Sequence, residues 1–170
     1  MKSPSGRPPA PFDPLRILAT LQRHDVRFVI IGAFAGRLLG SPTVTRDVDI
    51  CYARDAQNHA ALAAALQELN ARLRGVGEDV PFRLDARTIA AGDSFTFETD
   101  AGDLDILGTP SGTSGYEELK RTAETLELDG ISARVASIDA LLAMKRAAGR
   151  RKDLIEAEIL EALREEIERG

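Results

Sequence analysis

The chain predicts an α+β (α/β) fold in which helices flank a mixed, mainly antiparallel sheet. Two observations lead there. Short apolar or alternating runs, which read as strands, are separated by stretches whose apolar positions recur at helical spacing. Two pairs of runs are joined by compact turns, Thr99-Asp100-Ala101-Gly102 and Asp129-Gly130, which is hairpin chemistry. The composition agrees, with 44% hydrophobic residues and 5% aromatic, as in an alanine- and leucine-rich globular chain. A length of 170 residues suits one domain, and at that size folding buries about 70% of the unfolded surface. We expect a disordered arm over 1–12 and a single domain over 13–170.

Asp13 followed by Pro14 reads as an N-cap and first-turn proline, with Leu15, Ile17, Leu18 and Leu21 giving the helix one apolar face. Phe28 to Ile31 is a buried strand cut off by Gly32. Phe34 to Leu39 is helical until Gly40, Ser41 and Pro42 stop it. Asp47 to Tyr52 alternates acid with apolar residues, as a strand does. Asp55 caps a helix running to about Leu73, with His59 in its exposed first turns. Val80 to Leu84 reads as an edge strand, where Pro81 is tolerated, and Asp85 to Ala91 as one helical turn. Ser94 to Glu98 pairs with Gly102 to Leu107. A Gly- and Ser-rich loop, 108–115, precedes a short helix over Tyr116 to Lys120. The runs Glu124 to Leu128 and Ile131 to Ala136 make a second hairpin. Ser137 caps a helix that breaks at Gly149, and a last helix extends to Glu168 with Leu154, Ile155, Ile159 and Leu163 on one face. Asp153 either caps that helix or orients Lys145 or Lys152.

The chemistry gathers on the acidic strands. Side chains alternate along a strand, so Asp47 and Asp49 share one face while Val48 and Ile50 enter the core. Two carboxylates about 4 Å apart repel by roughly 4 kcal/mol at an effective dielectric near 20, a cost that a divalent cation removes. Gly102-Asp103-Leu104-Asp105-Ile106-Leu107 repeats the pattern, and spacing alone does not choose between Asp103 and Asp105. If the two strands are neighbours, three or four carboxylates converge where hard oxygen ligands suit Mg²⁺ and a triphosphate. Arg72 and Arg74 read either as solvated surface charge or as part of an acceptor-binding edge. Five cations stand between Lys145 and Lys152 in a chain of net charge −5, a balance that argues against wide nonspecific nucleic-acid binding. One cysteine, Cys51, excludes an internal disulfide, and the absence of a long apolar run or a signal pattern leads us to expect a cytoplasmic protein without membrane contact.

With its strand, Gly32 turn, Asp47-x-Asp49 and later Asp105, the chain resembles the DNA polymerase beta-like nucleotidyltransferases. Within them Thr45-Arg46-Asp47-Val48-Asp49-Ile50 and the segment from Ser137 to Asp153 look most like the AbiEii-type toxin branch. The resemblance spans roughly Phe28 to Leu160. It implies a nucleotidyltransferase fold and Asp47, Asp49 and Asp105 as ligands of Mg²⁺ or Mn²⁺, favouring Asp105 over Asp103. It also implies Lys145 on the nucleotide phosphates, and Gly32, Ala33, Arg46 and Lys152 on the bound nucleoside triphosphate. Ala33 stands where the family has Gly or Ser, so its N–H can meet a phosphate but no hydroxyl is offered. The implied reaction moves a nucleoside monophosphate onto a hydroxyl acceptor, tRNA or protein in a toxin–antitoxin setting with a cognate antitoxin. A small-molecule (antibiotic) acceptor is the second reading. A non-catalytic nucleotide- or partner-binding module, which Ala33 favours, is the third.

Overall fold

The computed structural model describes residues 8–77 and 79–170. Helix α1 (Pro14–Arg23) starts where the Asp13 carboxylate accepts a hydrogen bond from the Arg16 N–H at 3.1 Å, and its Ile17, Leu18 and Leu21 are fully buried. Strand β1 (Phe28–Ile31) is buried along its whole length. Gly32 turns the chain into the short helix α2 (Gly32–Leu38), two residues earlier than the apolar spacing predicts, and β2 (Asp47–Tyr52) returns antiparallel to β1. Helix α3 (Ala56–Glu68) is capped by Asp55 and leads to the edge strand β3 (Arg72–Leu73) and to α4 (Ala86–Ala91). The hairpin of β4 (Ser94–Thr99) and β5 (Gly102–Leu107) follows, then α5 (Tyr116–Thr122). A second hairpin, β6 (Glu124–Leu128) and β7 (Ile131–Val135), precedes α6 (Ile138–Ala148) and α7 (Arg151–Arg169). Gly149 ends α6 in the left-handed conformation, φ 66°, which lets α7 fold back on it.

The seven strands lie in the order β3-β4-β5-β2-β1-β7-β6. The sheet is mixed, as expected, and the expected antiparallel majority holds in part. Four pairings are antiparallel, but β2 pairs with β5 and β1 with β7 in parallel. Hairpin turns announce antiparallel neighbours in the sequence, whereas parallel neighbours need crossovers that leave no local signal. The β2–β5 crossover runs through α3, β3, α4 and β4, and it is the pairing that brings the two acidic strands together. Val48, Ile50, Leu104 and Ile106 fill the core on the opposite face, all fully buried.

Three expectations are corrected. Helix α3 stops at Glu68 rather than near Leu73, because Asn70 takes a positive φ of 54° and Arg72 and Leu73 pair with Glu98 and Phe97 as β3. Residues Val80 to Leu84 form no strand; Phe82 instead packs against the rings of Phe95 and Phe97. His59 is buried rather than exposed, edge-on to Tyr52 at 6.1 Å, because the start of α3 packs on the end of β2. Of the arm expected over 1–12, residues 1–7 lie outside the described ones, and Phe12 sets its ring edge-on against Phe34. No helix among the described residues is long and apolar enough to cross a membrane.

Candidate active site

Parallel pairing places Asp47 opposite Asp103 and Asp49 opposite Asp105 on one face of the sheet. One carboxylate oxygen from each of Asp47, Asp49 and Asp105 lies within 4.8 Å of the other two. Asp103 stays outside this trio and meets the Arg74 guanidinium at 3.1 Å. The Thr45 hydroxyl donates to Asp47 Oδ1 at 2.6 Å and fixes that carboxylate from below the strand's start. Gly32 has φ +72°, and a Cβ built there would stand 2.9 Å from Asp49 Cγ and closer still to its Oδ2. Glycine is therefore required twice over, for its backbone angle and for the carboxylate that rests against it.

The crowding leaves a clear electrostatic mark. Burial, then the charges of Asp47 and Asp105, push the Asp49 carboxyl up to about 8, with Lys145 acting in the opposite sense. Asp105 is also raised, chiefly by burial, while Arg74 pulls it down. Asp49 Oδ1 is buried and has no hydrogen-bond partner among the described residues. An orphaned carboxylate oxygen facing two more acids is the donor set of a hard divalent cation. The residues present thus fit Mg²⁺ or Mn²⁺.

Lys145 reaches this region from α6. Its ammonium pairs with Glu156 and lies 3.6 Å from Asp153, both on α7. Asp153 is almost wholly buried and also accepts from the Arg150 N–H at 3.2 Å, so it caps α7 and holds Lys145 at once. Lys145 and Glu156 line a small cleft with Gly32, Ala33, Ser41 and Thr43. Arg46 and Lys152 are exposed, and neither makes an ion pair among the described residues. Thr45 and Glu156 were given no site role from sequence, and Arg74 was read only as surface charge or an acceptor-binding edge. The last donates to Asp105 Oδ1 at 2.6 Å. An Asp-x-Asp preceded by a hydroxyl two residues earlier was a visible signal for Thr45. Nothing in the sequence signalled that Arg74 meets the acids, since its approach depends on the pairing of a two-residue strand.

No protein-family model and no curated protein matches the sequence. Solved structures do match the fold. The lincosamide antibiotic adenylyltransferase LnuA, lincomycin-bound, superposes with a TM-score of 0.58 at 14% identity, over 88% of this chain and 94% of that one. TM1012 from Thermotoga maritima, named as a candidate nucleotidyltransferase, gives 0.54 at 17% identity, over 95% and 98%. The fold is that of the nucleotidyltransferases. The antibiotic-resistance factor ANT(2'')-Ia, in complex with adenylyl-2''-tobramycin, matches in the same way with 0.52 at 18% identity, over 88% and 91%. In the nucleotidyltransferase fold of this chain, the acid trio sits on the paired strands β2 and β5.

Proposed function

We propose that the protein is a metal-dependent nucleotidyltransferase that moves a nucleoside monophosphate from a nucleoside triphosphate to a hydroxyl acceptor. The observation that carries this reading is the convergence of Asp47, Asp49 and Asp105 within 4.8 Å, with one buried oxygen left without a donor. A divalent ion held by these three residues would neutralise the triphosphate and make the acceptor hydroxyl more acidic. The chain's own groups supply the rest. Asp105 accepts the proton of the acceptor hydroxyl as its oxygen bonds to the α-phosphorus and the bond to the β-phosphate bridge breaks, releasing pyrophosphate. Lys145 offsets the charge growing on that leaving group, held ready by Glu156 and Asp153. Gly32 and Ala33 present backbone N–H groups to the phosphates, and Arg46 and Lys152 add positive charge at the entrance.

For the acceptor, the neighbours favour a small hydroxyl-bearing molecule: LnuA is lincomycin-bound and ANT(2'')-Ia carries adenylyl-2''-tobramycin. The tRNA or protein acceptor and the antitoxin expected from the toxin branch have no counterpart among these neighbours. The test incubates the protein with each α-labelled nucleoside triphosphate, Mg²⁺ or Mn²⁺, and a panel of aminoglycosides, lincosamides, tRNA and total protein. Label should pass to one acceptor class and vanish in Asp47→Asn and Asp49→Asn. Tight nucleotide binding with no transfer to any acceptor would instead support a binding module.

A further inference from the structure

We propose that Arg74 is the resident counter-ion of the acid cluster, and that a divalent cation at Asp105 competes with it. This rests on the metal-site reading of Asp47, Asp49 and Asp105. The guanidinium forks across β5, one nitrogen 2.6 Å from Asp105 Oδ1 and the other 3.1 Å from Asp103 Oδ2. A planar fork of donors spans two carboxylates on one strand face as no ammonium can. Asp105 thereby belongs to two charge clusters, and one of its oxygens is already engaged by a positive group.

The surroundings give Arg74 somewhere to go. Its own N–H is fixed to Thr96 O at 2.9 Å, so the backbone stays with the sheet. Beyond it Gly75 has φ +83°, and a Cβ built there meets nothing within 4 Å. The Arg74 side chain is itself 29% exposed, so rotamer changes alone can carry the guanidinium toward solvent. Arg72 is no substitute, because it faces Glu98 at 3.8 Å and Asp100 at 3.7 Å. Two cations seeking one carboxylate must weaken each other's hold, and the coupling is reciprocal. Arg74 thus offsets part of the cluster's charge in the metal-free protein at the expense of metal affinity.

The experiment is calorimetric titration of the full chain with Mn²⁺ alone, beside thermal melts with and without the ion. Arg74→Gln should bind Mn²⁺ about tenfold more tightly than the natural protein, the scale of a half-buried ion pair, with Arg74→Lys between them. Metal-free Arg74→Gln should melt lower, and saturating Mn²⁺ should close that gap. General structural damage would weaken metal binding, so tighter binding separates the two effects. Equal or weaker binding in Arg74→Gln overturns the proposal. Should that variant not fold, Arg74→Lys decides by the same criterion. Asp49→Asn is the separate arm: Mn²⁺ binding that survives it overturns the metal-site reading and this proposal together, whereas binding lost there but unchanged in Arg74→Gln overturns this proposal alone.

Discussion

Replacing Gly32 by alanine should damage the site through one identifiable collision. The backbone there has φ +72°, and placing a side chain in that region costs about 1 kcal/mol. The new Cβ would also stand 2.9 Å from Asp49 Cγ, driving the carboxylate off by about 1 Å, an overpacking cost of about 1–3 kcal/mol. Together these give about 2–4 kcal/mol, or a fall in Tm of about 5–15 °C for a chain of this length. A displacement of about 1 Å at a reacting centre costs about 10²-fold in rate. Differential scanning calorimetry with and without Mg²⁺, alongside the transfer assay, measures both losses. Gly75→Ala is the control, because its φ of +83° carries the backbone cost with no atom within 4 Å, and it should lose only about 2–4 °C. In an Asp49→Gly background every atom of the collision is gone, whereas Asp49→Ala would keep the Cβ at 3.0 Å, so adding Gly32→Ala to Asp49→Gly should cost no more than Gly75→Ala does. If Gly32→Ala melts like Gly75→Ala and keeps its response to Mg²⁺, the argued contact between Gly32 and Asp49 is wrong.

Three more outcomes follow from the same geometry. The unfolded chain loses the Asp49 proton near the ordinary 3.8 and the metal-free fold only at about 8. Stability without metal should therefore fall as pH climbs between these values, by at most about 1.4 kcal/mol per unit. The stabilisation given by Mg²⁺ should grow over the same range, and Asp49→Asn should flatten both curves in a pH series of melts. Thr45→Val removes the hydroxyl that orients Asp47, and titration should show Mg²⁺ affinity falling about tenfold with the fold intact. Lys145→Ala should lower kcat about 10²-fold and also lower Tm, since Glu156 and the buried Asp153 lose their shared partner.

Much of the site was legible because a strand reports its faces through a period of two. Asp47 and Asp49 on one side, Val48 and Ile50 on the other, needed no knowledge of the rest of the chain. The second acidic strand was legible for the same reason, but the choice between Asp103 and Asp105 was not. Both face the same way, and what distinguishes them is the parallel register, which sets Asp105 opposite Asp49. The approach of Arg74 to both was hidden for its own reason: β3 has two residues, too few for any periodicity, and follows a helix of alanines and leucines with no Gly or Pro stop signal before it. His59 failed for a related reason: its sequence surroundings look like an open first helical turn, while the packing of α3 on β2 closes over it. Parallel strand neighbours and side-chain partners far apart in sequence are properties of the assembled sheet.

The most direct measurement is a crystal structure with Mn²⁺ and a nonhydrolysable nucleoside triphosphate, its anomalous signal locating the ion. The account predicts a peak bridging Asp47, Asp49 and Asp105 at about 2.0–2.4 Å from their oxygens, with the triphosphate reaching toward Lys145. An ion or triphosphate bound elsewhere, with the three carboxylates left facing one another, would contradict it.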